Sequence, residues 1–232
     1  KQLAQQWIQR WDPVKGVTLN LQPRRTHQIL GSTTTVLAGD PTIREQFCGL
    51  ELQLSTTTFF QINTPQAEAI VECLVHWLHQ AAQHGPIVDA YCGIGTISLP
   101  LAARGHRVVG IEINPDSIEQ ADRNATVNGL GPLTRFEAGD VADLLKQTLP
   151  GCSALVVDPP RRGLESTVVA AILRDPPPLL AYLSCDMATQ ARDLKRLLQP
   201  EGPYQLDQLQ PVDFFPQTTH LENLAFLRRI SS

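Results

Sequence analysis

Short apolar stretches alternate with segments of helical periodicity from about residue 60 to residue 184 of this chain. The apolar stretches fall at residues 87–91, 108–112, 134–138, 155–158 and 179–184. The helical segments fall between Pro65 and Gly85, through residues 99–103, at 115–128 and near 166–173. Uninterrupted apolar strands separated by helices are typical of a parallel sheet that is covered on both faces. We therefore predict an α/β fold, with closing strands at 206–212 and 224–227.

The first 58 residues have a different pattern. Strand-like stretches separated by turn residues fall at 17–21, 33–37 and 50–54. The segment before them, which contains Trp7 and Trp11, has the spacing of a helix. We predict a β-rich accessory segment over residues 1–58, the remnant of a central domain, and an α/β catalytic domain over residues 59–232. Because Met187 is the only methionine, we also expect the chain to be a fragment.

The composition limits the classes of function. The chain has 232 residues, 42% hydrophobic and 18% charged, with a net charge of −4, so it can bury a core and is not disordered. No apolar run approaches the length of a transmembrane helix and no signal-peptide pattern is present, so the cytoplasm is the expected location. The five cysteines have no close spacing, which argues against a structural zinc site or a disulfide framework.

The charge distribution bears on nucleic-acid binding. Slight acidity argues against a surface that is basic as a whole, but it is compatible with a local basic patch. Adjacent arginine pairs occur at residues 24–25, 161–162 and 228–229. Each pair either contacts phosphates or is an ordinary solvated pair, and the sequence leaves both alternatives open.

The turn after the first predicted strand of the α/β part contains two glycines. It reads Asp89-Ala90-Tyr91-Cys92-Gly93-Ile94-Gly95-Thr96. Glycine in such a turn lets a ligand approach the backbone closely, and ligands of open parallel sheets bind at the carboxyl ends of the strands. The third glycine of GxGxxG is absent, and so is the GK[ST] of a phosphate-binding loop. The turn predicts a nucleotide-like cofactor.

Acidic residues follow the next two predicted strands. Glu112 ends the second strand, where a carboxylate suits the hydroxyl groups of a ribose or merely stabilises the strand end. Asp140 follows the third strand and either binds an adenine amino group or belongs to an ordinary Gly-Asp turn. Together with the glycine turn, they indicate an adenosine-type ligand without a pyrophosphate. S-adenosylmethionine fits this description better than NAD does.

The fourth predicted strand leads into Asp158-Pro159-Pro160-Arg161-Arg162-Gly163. This loop places a carboxylate and a proline-stiffened backbone at the edge of the cofactor site. Amino-methyltransferases have a similar [DN]PP[YF] loop that accepts hydrogen bonds from an amine. Arg161 stands where their aromatic residue stacks on a base, which argues against N-methylation.

Cys185 follows the fifth predicted strand. A lone cysteine in such a place is commonly inert core. Here its position faces the expected cofactor, and the start of a helix soon afterwards would favour the thiolate. Spacing alone leaves an inert thiol and a nucleophile as equal alternatives.

His220 and Glu222 lie in a second constellation further along the chain. Because they are two residues apart, they would share a face of an extended segment. A carboxylate there can remove a proton from a substrate carbon. The alternative is a loop in which both side chains cap neighbouring backbone groups.

Three long motifs stand in a fixed order. They are Asp-Pro-Pro-Arg-x-Gly from Asp158, Tyr-x-Ser-Cys ending at Cys185, and Asp-x-Phe-Pro-Gln-Thr-x-His-x-Glu ending at Glu222. In these motifs the chain resembles the RNA uracil-C5 methyltransferases, which make 5-methyluridine in transfer or ribosomal RNA. Residues 19–26 and 59–63 are similar as well, so the resemblance covers nearly the whole chain. It implies a Rossmann-like S-adenosylmethionine-dependent methyltransferase fold.

The resemblance implies a covalent mechanism. In this family a cysteine thiolate adds to C6 of the uracil, which makes C5 an enolate carbon that can attack a sulfonium methyl group. A base then removes the proton from C5 so that the thiolate can leave. The matching residues are Cys185 for the nucleophile and Glu222 for the base. Covalent catalysis divides a difficult step into easier ones, and a positioned base typically contributes about 10²–10⁴-fold in rate.

The resemblance also implies binding residues and partners. The expected cofactor-binding residues are Gln61, Tyr91, Gly93, Gly95, Thr96, Glu112, Asp140 and Asp158, and the expected substrate-binding residues are Asp158, Arg161 and His220. The expected substrate is RNA, ribosomal rather than transfer RNA, with the target uridine unstacked, and the expected enzyme is a monomer. Longer family members carry a barrel-like RNA-binding domain and a four-cysteine iron–sulfur cluster. Neither is visible in this sequence, and no metal is expected in it.

One position departs from the family pattern. Asp186 stands where asparagine is common, and a carboxylate beside the thiol would raise the pKa of Cys185. Two competing functions stay open. One is a different nucleic-acid methyltransferase that uses the Asp158 loop on an amine, and the other is an inactive RNA-binding fragment.

Overall fold

The computed structural model describes residues 1–23, 25, 29–81, 84–198 and 202–230. Arg24 and Thr26, which belong to one of the segments similar to the family, lie outside the described residues. No helix within the described part of the chain is long and apolar enough to cross a membrane.

The N-terminal part consists of a helix and two antiparallel strand pairs, β1–β2 and β3–β4. Its elements are α1 (Gln2–Arg10), β1 (Gly16–Leu21), β2 (Thr33–Gly39), β3 (Thr42–Phe47) and β4 (Leu50–Ser55). The predicted helix and the three predicted strands are therefore present. The β3–β4 hairpin places Phe47, Leu52 and Leu54 in the same apolar core as the helix that follows. The domain boundary at residue 58 stays a prediction.

Strand β3 was not predicted. Its sequence is Thr-Ile-Arg-Glu-Gln-Phe, and of these six residues only Phe47 is buried, so the apolar alternation is missing. The turn that joins β3 to β4 consists of Cys48 at φ 50° and Gly49 at φ 75°. Two-residue hairpin turns with positive φ at both positions normally carry Asn or Asp first. Because cysteine is not a typical first residue of such a turn, the sequence does not predict this hairpin.

The central sheet of the described residues has seven strands, in the order β10-β11-β9-β8-β5-β6-β7. They are β5 (Ile87–Ala90), β6 (Val108–Glu112), β7 (Thr134–Ala138), β8 (Ala154–Val157), β9 (Leu179–Ser184), β10 (Tyr204–Val212) and β11 (Glu222–Arg229). The pairs among β5 to β9 are parallel, and β11 is antiparallel to both β9 and β10. The predicted α/β fold is confirmed, and the two closing strands are antiparallel additions to a parallel sheet.

Helices cover both faces of this sheet. They are α2 (Thr64–Ala81), α3 (Ser98–Ala103), α4 (Pro115–Val127), α5 (Val141–Thr148), α6 (Ser166–Arg174) and α7 (Met187–Leu197). Alternate strand residues face different cores, since Val156 belongs to the core with α2 whereas Leu155 and Val157 belong to the core with α5 and α6. This explains why the strands are apolar throughout. Helix α5 was not predicted, because it is only 8 residues long.

The strand order fixes where a ligand can bind. The chain runs from β5 to β6 and β7 on one side, and then returns to β8 on the other side of β5. A crevice opens at the carboxyl ends of the strands where the order reverses in this way. The loops after β5, β6, β8 and β9 all meet at this edge.

Candidate active site

A cavity of about 690 Å³ lies at the carboxyl edge of the sheet. Its lining includes Gln61, Tyr91, Gly93, Thr96, Glu112, Asp140, Asp158, Arg161, Cys185 and Glu222. Residues from seven separate segments thus meet in one place. Gly95 and His220, which were also expected at the site, do not line the cavity.

The turn after β5 has an unusual backbone. Tyr91 has a φ of 69°, in the left-handed region that a tyrosine rarely adopts. The backbone N–H groups of Tyr91 and Cys92 both donate to the carbonyl oxygen of Ile111, at 2.8 and 3.0 Å. These bonds to β6 hold the strained conformation, and such strain is concentrated at functional sites.

The two glycines of this turn have different roles. Gly93 has a φ of 54°, and a methyl group added to it would meet no atom within 4 Å, so its backbone is open to the cavity. Gly95 has a φ of 91°, and an added methyl group would lie 3.0 Å from the Leu99 side chain. Gly95 therefore allows close packing of the turn against α3, and the expectation that it faces the cofactor is not supported by its position.

Glu112 links the end of β6 to the glycine turn. Its carboxylate accepts hydrogen bonds from Asn114 N at 2.9 Å and from Gly93 N at 3.4 Å. Asp140 is exposed and caps α5, with its carboxylate accepting from Asp143 N at 3.2 Å. Both residues line the cavity, so each combines a local structural role with a position suited to ligand binding.

Cys185 and Glu222 are brought together by two neighbouring strands. In the antiparallel pair β9–β11, Ser184 is opposite Asn223. Cys185 directly follows Ser184 at the end of β9, and Glu222 directly precedes Asn223 as the first residue of β11. Both residues line the cavity. The residues that the resemblance implies as nucleophile and base therefore border the same cavity, close enough for the charge of Glu222 to affect the Cys185 thiol.

Burial, and after it the charges of Glu222 and Asp158, raise the pKa of the Cys185 thiol, while Arg161 opposes them. The net effect of the surroundings therefore disfavours the thiolate, and a favourable contribution from the helix start stays a prediction. The Asp186 carboxylate turns away to cap α7, where it accepts from Thr189 N at 2.9 Å. That bond lowers the pKa of Asp186. The perturbation of the thiol comes from two cavity carboxyl groups and not from Asp186.

Asp158 and Glu222 are coupled carboxyl groups. Burial, then the charge of Glu222 and that of Asp89, raises the pKa of Asp158 to about 8. Burial also raises the pKa of Glu222. A site that destabilises several negative charges at once is suited to a positively charged ligand.

Asp89 is a buried carboxyl group behind the cavity lining that was not predicted to affect the site. It is fully buried within β5, its Oδ2 accepts from Ser98 Oγ at 2.6 Å, and its Oδ1 has no hydrogen-bond partner among the described residues. Burial raises the pKa of Asp89 to about 7. The sequence itself indicated that Asp89 is unusual, because an aspartate within an apolar strand is rarely fully buried unless it is paired.

Aromatic residues of the lining were also missed, among them Phe59 and Phe215. Phe59 is 77% exposed. An exposed ring at a cavity is suited to stacking on an unpaired base. Both residues lie within motifs of the resemblance, so their positions could have been used as a signal.

His220 lies outside the cavity lining. Strand β11 begins at Glu222, so the extended segment that would have placed both side chains on one face does not include His220. His220 is exposed, its N–H donates to Thr218 Oγ1 at 3.1 Å, and its ring lies against Phe215 at 6.3 Å between centroids. His220 thus lies two residues before the start of β11, and the prediction that it shares a face with Glu222 and binds substrate stays a prediction.

Side chains of helix α7 form hydrogen bonds with the loop that carries Asp158. Thr189 Oγ1 donates to the carbonyl of Arg161 at 3.1 Å, and Arg192 Nη2 donates to that of Arg162 at 2.9 Å. The buried Asp193 accepts from Leu164 N at 2.8 Å and from Tyr182 Oη at 2.9 Å. The loop, the helix and strand β9 therefore form one hydrogen-bonded unit beside Cys185.

Comparison with known proteins identifies the family. The family model described as tRNA (uracil-5-)-methyltransferase matches residues 46–230. The chain belongs to this family.

Curated relatives agree with this assignment. The chain is 83% identical over 232 residues to an uncharacterized RNA methyltransferase of Parasynechococcus marenigrum, covering 100% of this chain and 50% of that protein. It is 42% identical over 227 residues to an uncharacterized RNA methyltransferase of Nostoc sp., covering 98% of this chain and 49% of that protein. The chain thus spans about half the length of the curated relatives it matches.

Solved structures share the fold. The tRNA (uracil-54, C5)-methyltransferase of Pyrococcus abyssi, crystallised in complex with S-adenosyl-L-homocysteine, has a TM-score of 0.76 at 29% identity and covers 92% of this chain and 50% of its own. A putative methyltransferase of Streptococcus mutans has a TM-score of 0.64 at 12% identity, over 84% of this chain and 58% of its own, which shows the fold alone. The predicted methyltransferase fold and its cofactor, S-adenosylmethionine, are confirmed at the level of the uracil-5-methyltransferase family.

The described residues contain no group of three or more His, Cys, Asp and Glu side chains that could hold a metal ion.

Proposed function

We propose that this chain is the catalytic part of an S-adenosylmethionine-dependent RNA uracil-C5 methyltransferase that acts through a covalent Cys185 adduct. The observation that carries the proposal is that Cys185, directly after β9, and Glu222, at the start of the neighbouring strand β11, line the same cavity. Methyl transfer to an amine requires no covalent adduct with the enzyme, and therefore neither the thiol nor the carboxylate of this pair. Membership of the family and the likeness to the Pyrococcus abyssi enzyme support the same conclusion.

The cavity fits S-adenosylmethionine in shape and charge. The open backbone at Gly93 leaves room for close approach, and Glu112 lies where a ribose can donate its hydroxyl groups. Asp158, Glu112 and Glu222 line the cavity and offer acceptors for a cationic ligand. When bound there, S-adenosylmethionine would supply a methyl group activated by its sulfonium charge.

The residues of the chain perform the remaining chemistry. Cys185 adds to C6 of the uracil, and Arg161 favours the thiolate that this addition requires, since its charge lowers the pKa of the thiol. Glu222 takes the proton from C5 of the methylated adduct. The electrons of that C–H bond restore the C5–C6 double bond, and the thiolate leaves C6.

The proposal is tested with RNA in which 5-fluorouridine replaces uridine, in the presence of S-adenosylmethionine. Fluorine cannot leave C5 as a proton, so a protein–RNA adduct should persist in a denaturing gel. Cys185→Ala should abolish the adduct, whereas Cys73→Ala, which removes a partly buried cysteine outside the cavity lining, should form it as the wild type does. Absence of the adduct from a wild-type protein that binds both ligands contradicts the covalent mechanism.

Replacing Glu222 tests the base separately. Glu222→Gln should lower turnover on ordinary RNA by about 10²–10⁴-fold, because a positioned base contributes about that much. The adduct should then accumulate on ordinary uridine and be visible after denaturation. Rapid release of the RNA from this variant contradicts the assignment of Glu222.

The target RNA is also open to a direct assay. Ribosomal RNA is the substrate expected from the sequence, whereas the printed names of the family and of the Pyrococcus abyssi enzyme specify transfer RNA. Unmodified samples of both should be methylated side by side and analysed for 5-methyluridine. Methylation of an amine group instead, with full activity in Cys185→Ala, would favour the competing amine methyltransferase. Cytoplasmic location and a monomeric state stay predictions.

A further inference from the structure

A buried amide pair joins three elements next to the catalytic residues. Gln190 of α7 is only 2% exposed, and its Nε2 donates to the carbonyl of Tyr182 at 2.9 Å and to that of Asn223 at 3.1 Å. Its Oε1 accepts from Asn223 Nδ2 at 2.6 Å. Both N–H groups and the oxygen of this amide are therefore used. Gln190 thus ties α7 to β9 and β11 at once.

The catalytic pair lies where this strand pairing ends. The last paired residues of β9 and β11 at this edge are Ser184 and Asn223. Beyond them β9 ends and the chain turns towards α7 after Cys185, whereas Glu222 is the first residue of β11 and pairs with Val212 of β10. Hydrogen bonding at the end of a two-strand ladder opens more easily than in its interior. The distance between Cys185 and Glu222 therefore depends on the contacts that join β9 to β11 at this end of their pairing.

Cys185 has anchors of its own. The next residue, Asp186, caps α7, and Asp186 N donates to Ser184 Oγ at 3.2 Å. Glu222 is fixed from its other side, because Asn223 directly follows it and is clamped by Gln190. Successive residues of a strand point to opposite faces. The Asn223 side chain can therefore hold the strand from the α7 face while Glu222 faces the cavity.

We propose that Gln190 and Asn223 are positioning residues that hold Glu222 in place relative to Cys185 and so set the rate at which the covalent product is released. This inference rests on the proposed function. The step concerned is the transfer of the C5 proton to the Glu222 carboxylate. The C–H electron pair then forms the C5–C6 double bond, and the C6–S electron pair returns to Cys185 as thiolate. Addition of Cys185 to C6 comes earlier and does not use Glu222.

The experiment compares formation and release of the adduct in Gln190→Leu, Asn223→Leu and the double variant of the full-length protein. Adduct formation is measured with 5-fluorouridine RNA and S-adenosylmethionine, and release is measured in a single turnover on ordinary RNA by denaturing gel. Formation should stay within about twofold of the wild type. Release should slow by about 10–100-fold, because a displacement of a catalytic group by about 1 Å has an effect of that size. The double variant should be no slower than the slower single variant, since the two residues act as one unit.

The matched control is Asn128→Ala, which removes an amide clamp between α4 and β4 far from the catalytic pair. It should lose stability without accumulating adduct. Asn223→Ser, which removes the amide but keeps a small polar residue, serves if the leucine variants do not fold. Equal loss of formation and release, or release at the wild-type rate, overturns the positioning role. A wild-type protein that forms no adduct with 5-fluorouridine RNA contradicts the proposed function itself, which is a different outcome.

Discussion

At the scale of single residues, the electrostatics of the site depend on where side chains point. Burial, and after it the charges of two cavity carboxyl groups, Glu222 and Asp158, raises the pKa of Cys185. Asp186, although adjacent in sequence, directs its carboxylate into the first turn of α7. An aspartate therefore replaces the common asparagine here as a helix cap, which is a role that both residues perform well. The Asp186 charge is accordingly not among the causes that raise the pKa of Cys185.

The perturbed thiol leads to a first prediction at this scale. Asp158→Asn should lower the pKa of Cys185 and speed its alkylation by iodoacetamide at pH 8, because a negative charge beside the thiolate is removed. Arg161→Ala should have the opposite effect, since the arginine lowers this pKa. Mass spectrometry of the peptide that contains Cys185 separates it from the other cysteines. Unchanged alkylation rates in both variants would show that burial alone controls the thiol.

At the scale of elements, two asparagine side chains of α4 and its C-terminal end form hydrogen bonds with β4 that a neighbouring strand would otherwise form. Asn128 accepts from Glu51 N at 3.0 Å and donates to Glu51 O at 2.7 Å. Four residues earlier, Asn124 accepts from Gln53 N at 2.8 Å and donates to Ile94 O at 3.3 Å. Residues i and i+4 share a face of a helix, and residues i and i+2 share an edge of a strand. The two asparagines therefore satisfy the open edge of β4, and Asn124 also reaches the cofactor turn.

Because only Asn124 also contacts the cofactor turn, substitution of the two asparagines separates an effect on stability from an effect on cofactor binding. Asn128→Ala should lower the free energy of unfolding by about 1–3 kcal/mol, because it leaves backbone groups of β4 without partners. Asn124→Ala should lower it by about as much and should also weaken the binding of S-adenosylhomocysteine, since Ile94 lines the cavity. Denaturant unfolding and titration calorimetry measure the two quantities. Equal affinities in both variants would show that the cofactor turn does not depend on Asn124.

The same elements show the limits of sequence inspection. The strands and helices of the α/β part were predictable because their apolar residues repeat with a clear period. Strand β3 lacks that period, and its Cys48-Gly49 turn lacks the usual turn residues. The contacts of Asn124 and Asn128 join positions 71 and 77 residues apart in the chain, and no local pattern reports such contacts.

At the scale of the whole molecule, the sheet order concentrates negative charge at one edge. Asp89 lies within β5, Asp158 follows β8 and Glu222 begins β11, and burial, then the charges of Glu222 and Asp89, raises the pKa of Asp158. A chain with a net charge of only −4 thus brings three carboxyl groups close together at one end of the sheet. The fold tolerates this arrangement because the carboxyl groups take up protons more readily than they do in water.

Proton uptake makes the stability of the protein dependent on pH. The pKa of Asp158 is raised from 3.8 to about 8, so its contribution to stability is fully present below about pH 4 and is lost as the pH rises through about 8. Asp89, whose pKa is about 7, acts in the same direction. The melting temperature of the wild type should therefore fall between pH 5 and pH 9 by more than that of Asp158→Asn.

Thermal unfolding by circular dichroism across this pH range measures the difference. Asp143→Asn is the matched control, because it replaces a carboxyl group that is 72% exposed in an ion pair with Lys146. It should follow the wild type. Parallel curves for the wild type and Asp158→Asn would contradict the raised pKa of Asp158.

The sequence by itself determined the α/β class, the order of the strands along the chain, the glycine turn and the motifs that carry Cys185, Asp158 and Glu222. Local periodicity and short motifs are properties of neighbouring residues, so they can be read without a structure. The tertiary structure alone decided that Glu222 and Cys185 line the same cavity, that His220 does not line it, that Gly95 packs against α3 and that Asp89 has an oxygen without a partner among the described residues. These facts depend on strand register and on packing between distant segments, which no local pattern encodes.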